Sequence, residues 1–244
     1  GLVKEKRTND DVDDTFRGRI MIPVRDKQHR IIAFTARLLP DILAHDPNAP
    51  KYINSSTSLI YDKGNSLFGI DVAWNVASKA GVMNLVEGAP DVMRLQVIGA
   101  SNTVAPLGSS WTEAQLSMLK RITDRLNIIP DSDIPKEGEH FGVGFTSAMR
   151  TGKLALSLGF IVTIQEIPIG DWKNDPDSYL VSKDKLDELT RQDFVMWYAS
   201  KVINLNGENI PQQAKAIHEV AELVKTIPDK VLQESYTDKL INVY

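Results

Sequence analysis

Glu87 and Asp91 in Val86-Glu87-Gly88-Ala89-Pro90-Asp91, and Asp131 and Asp133 in Ile129-Pro130-Asp131-Ser132-Asp133, are the residues of this chain best placed to do chemistry. Each string follows an apolar run, 82–86 and 126–129, that reads as a buried strand, so the carboxylates fall where a strand ends and a loop begins. In an open α/β sheet that edge is where ligands bind. Side chains alternate along extended backbone, so Asp131 and Asp133 point to one side and can close on one cation together. Carboxylates gathered at one edge repel one another, and hard divalent cations such as Mg²⁺ relieve that repulsion. Read alone, Glu87 could instead begin a helix and favour its dipole, and Asp91 could be a cap. Asp175 and Asp177 flank Pro176, which keeps Asp175 out of helical geometry; on spacing alone the pair is turn chemistry.

The elements that must position these acids alternate. Strands are expected at 82–86, 103–104, 126–129 and 161–167, with helices over 91–97, 112–125 and 141–158 between them. Ser110 and Glu113 form a capping-box pattern before the second helix, and Gly159 is placed to end the third. This order implies a mainly parallel sheet with helices on its faces. Upstream, strands are expected at 20–24 and 31–36, joined by the polar turn 25–30. Residues 1–14, with the acidic run 10–14, read as a loose lead-in. Past Leu180 only helices are expected, over 185–202, 211–226 and 230–241, separated by Asn204, Asn206, Gly207, Asn209 and Pro228. The expected division is a β-rich part at 1–80, an α/β domain at 81–180 and a helical subdomain at 181–244.

A glutamate after one strand and Asp-x-Asp after another resembles the Toprim domain, the metal-binding module shared by bacterial primases, topoisomerases and some nucleases. Four further stretches resemble, in order, the segment that precedes it in DnaG-type primases. They are Phe16-Arg17-Gly18-Arg19-Ile20-Met21-Ile22-Pro23-Val24-Arg25-Asp26, Ala33-Phe34-Thr35-Ala36-Arg37, Pro50-Lys51-Tyr52-Ile53-Asn54-Ser55 and Lys63-Gly64. Asp175-Pro176-Asp177-Ser178-Tyr179-Leu180 is similar to that family's third acidic motif, so the likeness runs over 15–180.

The resemblance implies a Toprim-like α/β fold and synthesis of short RNA primers from ribonucleoside triphosphates on single-stranded DNA. It assigns Glu87, Asp131 and Asp133 to catalysis, and Glu87, Asp91, Asp131, Asp133, Asp175 and Asp177 to two or more Mg²⁺ or Mn²⁺ ions. Arg17, Arg19, Arg25, Arg37, Lys51, Tyr52, Asn54 and Lys63 match positions that line the groove for template and nucleotide. Lys51-Tyr52 with Asn54 combines a phosphate-binding charge, a ring able to stack and an amide able to read a polar edge. A replicative helicase is the implied partner and the cytoplasm the implied location. The chain departs from the family at 134–140, a longer polar loop where a short Ala-Gly turn is usual, and at Ala89-Pro90, where a bulkier residue is usual. These departures imply a divergent, mobile-element or phage-like member. The expectation is a catalytic fragment, inactive alone if incomplete, with the family's zinc-ribbon module absent or removed. The same acids would serve a Toprim nuclease, or remain in a non-catalytic DNA-binding or docking module.

Composition fits this reading. With 42% apolar and 25% charged residues the chain is that of a globular protein, and no apolar run approaches the length of a membrane span. No cysteine is present, which excludes disulfides and a Cys-ligated zinc site, and the four histidines form no ligand spacing. The net charge of −4 divides unevenly: 15–63 holds eight Lys or Arg against four acids, and 64–180 nine against thirteen. The basic part can meet phosphates; the acidic part is what metal would neutralise.

Overall fold

The computed structural model describes residues 2–5, 12–45, 48–170, 174–205 and 209–244. Strands β1 (Val3–Glu5) and β2 (Val12–Asp14) form an antiparallel pair. Next come β3 (Arg19–Arg25), β4 (Ile31–Leu38), helix α1 (Pro40–His45) and β5 (Tyr52–Asn54), whose strands make a three-stranded antiparallel sheet. The following run is β6 (Leu67–Phe68), α2 (Ile70–Ala80), β7 (Met83–Leu85), α3 (Ala89–Val97), β8 (Thr103–Pro106), α4 (Glu113–Leu119), β9 (Arg125–Ile128), α5 (Val143–Ser157) and β10 (Ile161–Gln165). The chain continues through the short helices α6 (Pro176–Tyr179) and α7 (Lys183–Glu188) and strand β11 (Arg191–Asp193) to helices α8 (Phe194–Asn204), α9 (Ile210–Lys225) and α10 (Lys230–Val243).

The larger sheet has the order β11-β10-β9-β7-β8-β6, with the four inner strands parallel and an antiparallel strand at each edge. Alternation along its strands separates two cores. Leu85, Val104 and Ile128 face one that includes α2, α4, α5 and α8 to α10, whereas Val86, Ala105 and Ile129 face another shared with α3 and the small sheet. Side chains as completely buried as Leu85, Leu126 and Ile129 each contribute on the order of 1.5–3 kcal/mol of transfer free energy. Registers are fixed by a buried amide ladder: Asn127 Nδ2 donates to Asn84 Oδ1 at 3.0 Å on β7 and to Gln165 Oε1 at 2.8 Å on β10. A slip of one residue would bury these groups without partners, at a cost of about 1–3 kcal/mol each.

The expected parallel sheet with flanking helices is present, and several details differ. The lead-in forms the β1–β2 pair, while Asp10 and Asp11 lie outside the described residues, as do Asn206 and Gly207. The segment past 180 is not purely helical, because β11 pairs antiparallel with β10 and splits the expected 185–202 helix into α7 and α8. Arg191-Gln192-Asp193 has no apolar residue to mark a strand, and Asp193 then caps α8 by accepting from Met196 N. Helix α4 ends at Leu119, not 125, since Arg125–Ile128 is needed as β9. Its capping box is Thr112 with Gln115 rather than Ser110 with Glu113. Leu67–Phe68 pairs with β8, so 67–80 packs with the larger sheet.

Candidate active site

The chain leaves β7 through α3 to β8 on one side and, after α4, returns as β9 on the other. The crevice beyond the C-terminal ends of β7 and β9 is therefore a topological switch point, where open α/β sheets bind ligands. Glu87 follows β7 and Asp131 follows β9 into that crevice. The two strands stay paired almost to the acids, with Ile129 N donating to Leu85 O at 2.9 Å. Asp131 N then lies 3.4 Å from Glu87 Oε1.

Two further segments are drawn to the same edge. Ser132 and Asn174 exchange backbone hydrogen bonds of 2.7 and 3.2 Å, which brings Asp175, Pro176 and Asp177 beside the sheet. Asp175 caps α6 by accepting from Ser178 N at 2.8 Å. Asp91, on the first turn of α3, is buried and accepts from Gly88 N at 3.0 Å and from Asp177 N at 3.1 Å. Burial, reinforced by the Asp131 and Asp175 charges, pushes its carboxyl up to about 7, against the pull of those two N–H groups. Arg94, one turn further along α3, donates to Asp177 O at 2.8 Å and to its Oδ1 at 3.2 Å.

Helix α5 presses its N-terminus onto the Asp131–Asp133 segment. Gly144 N donates to Asp133 Oδ2 at 2.9 Å, in the field of a helix N-terminus that favours negative charge. A Cβ on Gly142 would stand 2.2 Å from Asp133 O, and one on Gly144 2.3 Å from Asp131 O, so only glycine permits this approach.

The donor set is all carboxylate oxygen, the chemistry of a hard divalent cation. Among the described residues, however, no three such groups stand close enough to form a finished cage. The residues fit a cation held partly by water and by substrate oxygens, the usual manner of Mg²⁺.

Between the small sheet and α3 lies a cleft of about 350 Å³, lined by Ile20, Arg37, Tyr52, Met93, Arg94 and Asp177 among others. The Arg37 guanidinium sits 5.9 Å from the Tyr52 ring centre, and burial raises the Tyr52 pKa. Asn54 Nδ2 donates to Leu107 O at 2.6 Å, tying the small sheet to the larger one rather than facing the cleft. Arg19 donates to Pro50 O at 2.8 Å and so supports Lys51 from behind. Arg17, Lys51 and Lys63 are exposed. Arg25 lies away from these residues at the hairpin turn, donating to His29 O at 2.8 Å. Sequence reasoning missed Arg94, whose only mark is its i, i+3 spacing from Asp91, and missed Gly142 and Gly144, a glycine pair opening an apolar helix.

Three family models match in order along the chain: "DNA primase catalytic core, N-terminal domain" at 1–74, "Toprim-like" at 84–180 and "DnaB-helicase binding domain of primase" at 192–242. The chain belongs to the DnaG-type primase family. It is 33% identical over 237 residues to a DNA primase of Halalkalibacterium halodurans, covering 93% of this chain and 37% of that protein. It is 29% identical over 251 residues to a DNA primase of Listeria monocytogenes, covering 100% of this chain and again 37% of the relative. This primase-family chain thus spans little more than a third of the length of those relatives. Among solved structures it is similar to a DNA primase domain from Pseudomonas aeruginosa, with TM-score 0.82 and 26% identity over 100% of this chain and 73% of that one. It is also similar to the Aquifex aeolicus primase zinc-binding and RNA polymerase domains, with TM-score 0.76 and 26% identity over 100% of this chain and 55% of that one. Among the described residues no helix is long and apolar enough to cross a membrane.

Proposed function

We propose that this chain carries the catalytic site for template-directed synthesis of short RNA primers on single-stranded DNA. The observation that carries the reading is the meeting of Glu87, Asp91, Asp131 and Asp175 at one sheet edge, close enough for the Asp131 and Asp175 charges to perturb Asp91. Family membership supplies the class of reaction, nucleotidyl transfer.

Glu87, Asp131 and Asp133 would each contribute to one Mg²⁺ or Mn²⁺ whose remaining ligands are water and substrate oxygens, and Asp91 and Asp175 would help with a second. Bound there, such ions lower the pKa of an attacking hydroxyl and neutralise a triphosphate. The 3′-hydroxyl of the growing strand gives up its proton to water as its oxygen bonds to the α-phosphorus of the incoming ribonucleotide, and the bond from that phosphorus to the bridging oxygen breaks so that pyrophosphate leaves. Asp177, its carboxylate held by Arg94, positions Asp91 through its backbone N–H. Tyr52 and Arg37 offer a ring and a guanidinium to base and phosphate, and exposed Lys51, next to Tyr52 in the chain, would add charge for phosphate. Arg17 and Lys63 would track the template backbone by charge. Residues 192–242, matched by the helicase-binding model, would contact the replicative helicase.

The test is incubation of the chain with single-stranded template, an annealed RNA primer, labelled ribonucleoside triphosphates and Mg²⁺ or Mn²⁺. Template-dependent extension that Asp131→Asn abolishes is expected. A shortened template instead would make the site a nuclease, and a folded chain that does neither with either metal would overturn the reading.

A further inference from the structure

A second cation-rich cavity lies at the opposite end of the small sheet from the cleft. On β3 the cleft's lining reaches Ile22 and this cavity's begins at Arg25, three residues further along the extended strand, or roughly 10 Å. Its volume is about 320 Å³, and it is lined by Arg25, Lys27, Arg30, Asn65, Trp74 and Arg121 among others, with none of the acids of the sheet edge. The one acid in its wall, Asp26, is bound at 2.6 Å by Arg30. Among the described residues Arg25, Lys27 and Arg121 have no carboxylate partner. Four cations against one carboxylate leave the lining positively charged, and Lys27 and Arg121 are exposed, so a polyanion is the ligand this charge favours.

The cavity also has a ring. Trp74 on α2 is half-buried against the core, and Lys27 Nζ lies 5.0 Å from its ring centre. His29 Nδ1 lies 3.5 Å from Asp71 Oδ2, so the hairpin turn sits beside the start of α2, the helix that carries Trp74. An aromatic face beside arginine and lysine is the chemistry that takes a base together with its phosphates. The volume falls at the small end of ligand pockets, about 300–1,000 Å³.

We propose that this cavity is a second nucleotide-binding site, separate from the catalytic edge. Its ligand is a base with attached phosphates, presented by a free nucleoside triphosphate or by a unit of a nucleic-acid strand. Phosphate draws Lys27 off the indole, so binding changes the Trp74 emission.

The experiment is a titration of the chain in chelator with ATP and, separately, with a short oligothymidylate, read by tryptophan fluorescence; Trp74→Phe identifies the responding indole. A saturable change lost in Trp74→Phe is expected, and the probe that produces it at lower concentration names the source. The Lys27→Ala/Arg121→Ala double variant should bind at least about tenfold more weakly, the scale of one lost charge-assisted hydrogen bond, whereas Arg37→Ala in the cleft should leave the signal unchanged. The absence of a saturable change in the wild type, undiminished affinity in the folded double variant, or equal loss in Arg37→Ala would each overturn the proposal.

Discussion

Gly144→Ala tests how tightly α5 is pressed against the acid-bearing loop. Near the start of an ordinary helix, alanine in place of glycine gains up to about 1 kcal/mol. Here the new Cβ would stand 2.3 Å from Asp131 O and 2.9 Å from Asp131 Cβ, so the helix must move off the loop by about an ångström. Overpacking of this kind costs roughly 1–3 kcal/mol, so a net destabilisation of about 1–2 kcal/mol is expected. The substitution keeps the N–H that Asp133 accepts, and any loss reports the steric displacement. Urea unfolding midpoints of wild type and variant give the number. Gly108→Ala is the control, because a Cβ there meets nothing within 4 Å. Primer extension should fall in Gly144→Ala alone, since Asp131 and Asp133 move with the loop. A Gly144→Ala protein as stable as the wild type, or more so, would refute the close approach.

Asp91 makes stability depend on pH. With its folded pKa raised to about 7, the native state holds a proton that the unfolded chain releases near ~3.9, so this contribution is greatest below that value and is lost as pH rises through about 7. In chelator, the melting temperature of wild type should therefore drop between pH 5 and pH 8 more than that of Asp91→Asn; equal drops would show that Asp91 is not strained by its neighbours. Asn127→Leu should cost about 2–3 kcal/mol in chemical unfolding, because Asn84 Oδ1 and Gln165 Oε1 lose a buried donor, and a neutral result would mean the amide ladder contributes nothing. Lys51→Ala should weaken binding of single-stranded DNA and flatten its salt dependence by about one phosphate contact; an unchanged slope would make Lys51 a solvated surface charge.

The acid-bearing edge was legible because Glu87 and Asp131 each end an apolar run long enough to be a strand. What the sequence concealed lies where no periodicity is written. β11 has only Arg191, Gln192 and Asp193, and β6 only Leu67 and Phe68, too short for alternation to register. The shift of the capping box to Thr112 follows from Gln115, whose amide also donates to Lys63 O and Ser66 O, long-range partners that local pattern cannot reveal. Arg94 and Asp177 are 83 positions apart, and they meet where the Ser132–Asn174 bridge and the Asp177 N–H to Asp91 bond bring the third acidic segment to α3. Arg25 and Arg37 match the same family groove on paper, yet β3 and β4 carry them to opposite ends of the small sheet.

Divalent-cation binding by the acid edge is the central claim, and electron paramagnetic resonance of Mn²⁺ measures it without requiring turnover. Titrating the chain with Mn²⁺ at neutral pH should show saturable loss of the free-ion signal, competed by Mg²⁺ and abolished in Asp131→Asn and Glu87→Gln variants that retain the wild-type circular dichroism. Equal Mn²⁺ uptake by wild type and both variants would contradict the account, because the carboxylates that β7 and β9 bring together would then hold no metal.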